Sequence, residues 1–251
     1  SGGDVLVSPI EELTIGAELK DDFGIRRFGL GYQLAGSEPI ERELQPEGEA
    51  SKQIQASELI SFEQLDAQPG QLLSYYLWAE DEDQRGEPRR TVSDIFFAEV
   101  RPFEEIYRQG EQPTADAQQR QQQQQGGQGN QQTQELLELQ KQIMVGAWNV
   151  LRTAIRDRLP ERAADDIRLL ADSEAEAVNL LSEKAAESTV PGTEQFLDAA
   201  NNFMLDAVKQ FSDASKSLEK KELMTALGSA QAAYQALLQM QSREHEVVRS
   251  Q

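Results

Sequence analysis

Two halves with different periodicities predict a chain of two domains, all-β first and all-α second. Up to about residue 103, short runs alternate apolar and polar residues between Gly, Pro and Asp turns. From about residue 134, apolar residues recur at spacings of three, four and seven, the period of a helix face. Between the halves, a glutamine run from about Gln109 to Thr133 holds no periodic apolar residue. The expected division is a β-sandwich over 1–103, a Gln/Gly-rich linker over 104–133, and an antiparallel bundle of about four helices over 134–251. Each domain is large enough to bury its own core.

The β half opens with Val5-Leu6-Val7. Next, Leu13, Ile15, Ala17 and Leu19 share one face by strict alternation. Asp21-Asp22-Phe23-Gly24 reads as a turn, because Asp can bond its local backbone and Gly can take positive φ. A third strand carries Ile25, Phe28, Leu30, Tyr32 and Leu34, and Ile40 to Leu44 is a short, polar strand suited to a sheet edge. Lys52 to Ile60 follows, then Gln68-Pro69-Gly70 turns the chain into Leu72 to Glu80, and a last strand covers Thr91 to Val100. Seven short strands at this spacing predict an immunoglobulin-like sandwich. With no cysteine to bridge the sheets, packing of Phe28, Tyr76, Trp78 and Phe96 has to hold it. Tyr75-Tyr76-Leu77-Trp78 reads as core, with a sugar-stacking platform as the alternative.

Glu104 to Gln109 suits a short helical turn, and Pro113, the glutamines and Gly126-Gly127-Gln128-Gly129 suit a flexible spacer, although glutamine runs can also self-associate. The first helix is expected from Thr133 to Arg158, with Leu137, Met144, Trp148, Leu151 and Ile155 on one stripe. Pro160 suits the first turn of a second helix that reaches Glu187. Thr193 is placed to cap a third, whose stripe is Phe196, Ala200, Phe203, Ala207, Val208 and Phe211. A turn is expected within Ser212–Ser217. The fourth helix has the cleanest heptad, Leu223, Leu227, Ala230, Tyr234 and Leu237. Leu223, Leu227, Tyr234 and Leu237 either close the bundle from inside or form a seam for a protein partner, including a second copy in coiled-coil fashion.

Composition narrows the chemistry. The net charge of −20 and pI near 4.4 disfavour nucleic acid and anionic membrane surfaces as partners. No apolar run approaches the roughly 18 residues of a membrane span, and Ser1-Gly2-Gly3-Asp4 is not a signal sequence, so this segment is not expected to insert directly. The chain has no initiator Met and is read as part of something longer.

No catalytic constellation stands out, and the chain is expected not to be an enzyme. His245, the only histidine, cannot alone build a zinc site or a His-dependent triad. Glu174 interrupts an apolar stripe and is expected to meet a Lys or Arg in the bundle. Asp165-Asp166 complements a helix dipole. Gly29-Leu30-Gly31 lies inside a strand and lacks the later glycine of a nucleotide loop.

One arrangement has geometric content. With Val5–Val7 as strand A, Asp21 and Asp22 lie in the B–C loop, and Asp81, Glu82 and Asp83 open the F–G loop at the same end of a sandwich. Five convergent carboxylates would suit calcium, whose ligands are hard oxygens. The plainer reading is that acidic residues simply populate exposed turns.

The run Glu11-Glu12-Leu13-Thr14-Ile15, Asp21-Asp22-Phe23-Gly24-Ile25 and Gly29-Leu30-Gly31-Tyr32, with Tyr76-Leu77-Trp78-Ala79-Glu80-Asp81 and Ser93-Asp94, resembles one repeat of a bacterial family. Its members are large membrane-anchored envelope proteins of planctomycetes and their relatives, with immunoglobulin-like domains followed by Gln-rich helical tails. The resemblance implies a location outside the cytoplasm and anchoring by transmembrane helices elsewhere in the protein. It carries no catalytic motif. The expected function is therefore a structural or scaffolding segment that makes protein–protein contacts. The alternative is a ligand-binding module whose B–C and F–G loops grip calcium, a glycan or a protein.

Overall fold

The computed structural model describes residues 3–35, 37, 39–44, 51–82, 88–102, 128–155, 157–187, 190 and 192–249. The chain divides into two compact units, Ser1–Tyr107 and Arg108–Gln251. The expected helical turn at 104–109 and most of the glutamine run lie outside the described residues.

Among the described residues the first unit has eight strands: β1 (Val5–Val7), β2 (Glu12–Ile25), β3 (Arg27–Leu34), β4 (Ile40–Glu43), β5 (Ser51–Ser61), β6 (Leu72–Glu82), β7 (Pro88–Val92) and β8 (Phe96–Val100). Six form one mixed sheet in the order β1-β8-β6-β3-β4, with β7 also paired to β6. Its single parallel pair is β1 with β8. The other sheet is the antiparallel pair β2–β5. Alternation puts Ile15 of β2, Leu30 and Leu34 of β3, Leu73 and Tyr75 of β6, and Ala98 and Val100 of β8 into one core with Ile60 and Phe62. Full burial of a side chain such as Leu30 or Leu73 contributes about 1.5–3 kcal/mol relative to exposure.

Three expectations for this unit change. Asp21–Gly24 does not end its strand: β2 runs through to Ile25, with its register to β5 shifting between Lys20 and Ile25. Gly24 takes φ 107°, and its N–H donates to Asp21 Oδ2 at 2.7 Å, so the Asp-to-Gly bond shapes an irregularity inside a strand. The last expected strand is two, because Ser93 interrupts it. Ser93 N–H donates to the Leu77 carbonyl, while its hydroxyl accepts from Leu77 N–H at 2.9 Å, standing in for a ladder carbonyl. Finally, Tyr75-Tyr76-Leu77-Trp78 supplies both faces of the sheet. Tyr75 and Leu77 face the core, whereas Tyr76 and Trp78 face outward, over Gly31 and Gly29 of β3.

Among the described residues the second unit has four helices: α1 (Gln128–Leu151), α2 (Ala163–Glu187), α3 (Glu194–Ser217) and α4 (Lys220–Arg249). Each packs on the next, and α4 closes the ring on α1. Helix α1 begins six residues inside the expected linker, since Gln is a good helix former and Gly129 sits in the first turn, where N–H groups lack helical partners anyway. It ends at Leu151 instead of Arg158, because the α1–α2 connection gives its backbone to the α3–α4 turn. Leu159 N–H donates to Leu218 O at 2.8 Å and Lys220 N–H to Asp157 O at 2.9 Å. Helix α2 starts at Ala163, after Pro160. Helix α3 runs through Ser212–Ser217, where Ala214 and Ser215 are buried, and the turn falls on Leu218 at φ 56°. Thr193 does occupy the N-cap position, but its hydroxyl donates back to Val190 O instead of capping. Phe203, expected on the inner stripe, is 39% exposed, and Met204 fills the interior.

Gly29 is fixed by its neighbours: a Cβ there would lie 2.3 Å from the Arg42 carbonyl oxygen and 2.5 Å from the Trp78 ring. Gly16 has open space, meeting only Ala56 O at 4.0 Å. Gly29→Ala should therefore cost about 1–3 kcal/mol by overpacking, and Gly16→Ala close to nothing. Chemical denaturation of both variants checks this; equal midpoints would remove the aromatic seat from the account.

Candidate functional site

The structure brings together one carboxylate from each acidic segment. Asp21 is placed by the irregularity in β2, and Asp81 stands on β6 opposite Arg89 of β7. What joins them is a guanidinium. Arg89 Nε donates to Asp81 Oδ1 at 3.1 Å, its Nη2 pairs with Asp81 Oδ2, and Nη2 lies 3.7 Å from Asp21 Oδ1. Asp81 is buried, and this two-pronged bond answers both of its oxygens. Asp22 is exposed, Glu82 pairs with Arg26 at 2.8 Å, and Asp83 lies outside the described residues. Among the described residues no group of three or more acids or histidines is set to hold a metal. Beside Arg89 a cleft of about 370 Å³ opens between β2 and β6–β7, lined by Leu19, Asp21, Ile25, Leu77, Asp81 and Arg89 among others.

The outer face of the large sheet carries a second cluster. Trp78 lies flat on Gly29 beneath Arg90, whose guanidinium carbon is 4.4 Å from the ring centroid, with Arg27 at 5.8 Å. Arg27 bridges Glu43 and Glu80, and Arg90 bridges Glu41 and Glu80. Tyr76 donates its hydroxyl to Glu41 at 2.8 Å. Burial, aided by the Glu41 carboxylate, holds the Tyr76 phenol well above its ordinary range. The hydrogen bond from Arg27 lowers the Glu43 carboxyl. Stacked guanidinium groups cover the Trp78 face that a sugar would need.

Inside the bundle, two polar layers interrupt an alanine-rich interior. At mid-height, Gln140 Nε2 donates to both Glu174 carboxyl oxygens at 2.9 and 3.0 Å, and lies 3.3 Å from the Ala230 carbonyl. Glu174 thus meets an amide, not the expected cation. Burial pushes its carboxyl up to about 7, against the opposing hydrogen bond from Gln140. Near one end, Lys184 of α2 pairs with Glu244 of α4 at 2.8 Å, and buried Thr133 of α1 donates to the same carboxylate at 3.0 Å. His245 follows Glu244, but its side chain lies outside the described residues.

The heptad residues Leu223, Leu227, Tyr234 and Leu237 are all buried within the bundle, so the chain itself covers the seam that could have served a partner. No described helix is long and apolar enough to cross a membrane. The sequence reading missed Arg89, Gln140, Lys184, Glu244 and Thr133. The signals available were an Arg-Arg pair shortly after an Asp-Glu-Asp run, and polar residues at stripe positions of neighbouring helices. The chain matches no family model, no curated protein and no solved structure.

With a guanidinium already between Asp21 and Asp81, millimolar calcium should leave the melting temperature unchanged. Arg89→Ala leaves a buried carboxylate without its donor and should destabilise the β unit by about 1–3 kcal/mol; calcium should then recover part of that loss. Calorimetry of both proteins checks this. A calcium-dependent rise in the unsubstituted protein would show that the ion, not Arg89, is what the carboxylates hold.

Proposed function

We propose that this chain is a structural, non-catalytic segment that makes protein–protein contacts, carried by a bacterial envelope protein outside the cytoplasm and anchored through transmembrane helices elsewhere. The observation that carries this reading is how the polar and charged groups that answer buried partners are used. Arg89 ties β7 to β6 and approaches β2, Lys184 ties α2 to α4, and Gln140 ties α1 to α2 and α4. Among the described residues these groups act as crosspieces between elements. Arg89, with Asp21 and Asp81, also lines a cleft, but there its guanidinium is already engaged by the carboxylates beside it.

The β unit is read as an immunoglobulin-like sandwich. Strands in the order β1-β8-β6-β3-β4 facing the pair β2–β5 support that reading, with β1 as A, β2 as B, β3 as C, β4 as C′, β5 as E, β6 as F and β7–β8 as a broken G. A sandwich followed by a helical bundle is also the order implied by the resemblance to envelope proteins, and suits a spacer joined to a contact module.

Leu169 and Leu205 are exposed on α2 and α3 and are suitable sites for a photo-crosslinking residue. In cells making the full-length parent protein, the reading predicts adducts with envelope or exported proteins, and loss of the segment when intact spheroplasts are treated with protease. Adducts confined to cytoplasmic proteins, with full protection from protease, would overturn it.

A further inference from the structure

The two sheets of the β unit are unequal, and the inequality leaves an edge open. β1 pairs with β8, so β2 has β5 on one side and no strand on the other among the described residues. Over Glu12–Lys20 the strand is regular and in register with β5. In such a pair, alternate N–H and C=O groups point away from the neighbour and offer a template for a further strand. The solvent face of this run is Glu12, Thr14, Gly16, Glu18 and Lys20.

We propose that this edge is a self-association surface, on which β2 pairs antiparallel with β2 of a second copy about a two-fold axis at Gly16. The sequence of the edge is complementary to itself in that register. Glu12 faces the second copy's Lys20, Thr14 faces its Glu18, and Gly16 faces Gly16. On the inner face, Leu13 meets Leu19 and Ile15 meets Ala17. Symmetry repeats each pair, giving two Glu–Lys contacts across the junction. Sliding the register by two residues keeps the faces matched but sets Glu12 against Glu18 in one direction, or against Asp22 in the other. Charge therefore selects the register centred on Gly16. At the axis no side chain stands in the way, because Gly16 has only Ala56 O near its missing Cβ. The two small sheets would become one four-stranded sheet, β5-β2-β2-β5, shared between copies. This is independent of the envelope reading, since the edge is the same wherever the protein resides.

The chain has no cysteine, which makes a direct test available on the full chain. Gly16→Cys, with folding checked by circular dichroism, places one thiol from each copy at the axis, within the range a disulfide spans between paired strands. Mild oxidation should give a disulfide dimer faster than Asp172→Cys, an exposed position on α2. Sedimentation equilibrium should show a concentration-dependent dimer that Lys20→Glu weakens about tenfold, and that Glu12→Lys added to Lys20→Glu restores. A monomer at every concentration would overturn the proposal. So would a dimer indifferent to Lys20→Glu, or crosslinking at Gly16→Cys no faster than at Asp172→Cys.

Discussion

A polar group taken out of water has to be answered inside the protein, and in both units the placement of elements follows from how it is answered. Asp81 is buried on β6, and the arginine that answers it stands on β7, so this short strand is held where the ion pair can form. Glu244 is buried near the end of α4, and its partners come from α1 and α2. Glu174 is the hardest case. It lies fully buried at the middle of the bundle, its bonded partner among the described residues is an amide, and burial is what raises its carboxyl to about 7. Gln140 Oε1 is itself buried without a donor.

The alanine content of the bundle makes these crosspieces consequential. Ala147, Ala177, Ala200, Ala207, Ala230 and Ala233 allow close approach but specify register weakly, because one alanine layer fits against another almost as well as the next. A polar pair fits in one register only, and sliding a helix by a turn would bury Lys184 or Glu244 without its partner. Breaking a buried pair of this kind typically costs about 3–5 kcal/mol, which penalises the alternatives more than it stabilises the native state.

Much of this fold was legible from periodicity. Alternation located the strands and the 3.6-residue stripe located the helices, because both report which face is buried. Boundaries were less legible because they depend on single bonds to distant residues. Ser93 splits a strand by bonding Leu77, and Asp157 ends a helical pattern early by accepting from Lys220. The candidate site shows the same limit. Placing the two acidic segments at one end of the β half was enough to bring Asp21 and Asp81 together, but not to reveal that Arg89 would stand between them. Likewise, a glutamate in an apolar stripe signals a buried partner, while its identity depends on which residue of α1 reaches the same height. Gly29-Leu30-Gly31 was legible only as a pattern without a nucleotide loop. Its cause lies across the ladder, where Trp78 and Tyr76 need the space.

The pH dependence of the bundle's stability, with and without Glu174, tests most directly whether buried groups are answered internally. With a folded-state value near 7 against an ordinary 4.5, the folded protein between those limits holds a proton that the unfolded chain has released. The stability contributed by this group is therefore fully present below about pH 4.5, declines as the pH rises towards 7, and is lost above it. Urea unfolding followed by the helical circular dichroism signal should show that decline in the unsubstituted protein. Glu174→Gln, which keeps the hydrogen-bonding shape and cannot ionise, should lack it and be the more stable of the two above pH 7. Parallel curves across the range would mean that Glu174 is ionised and solvated in the folded bundle, and would contradict the account.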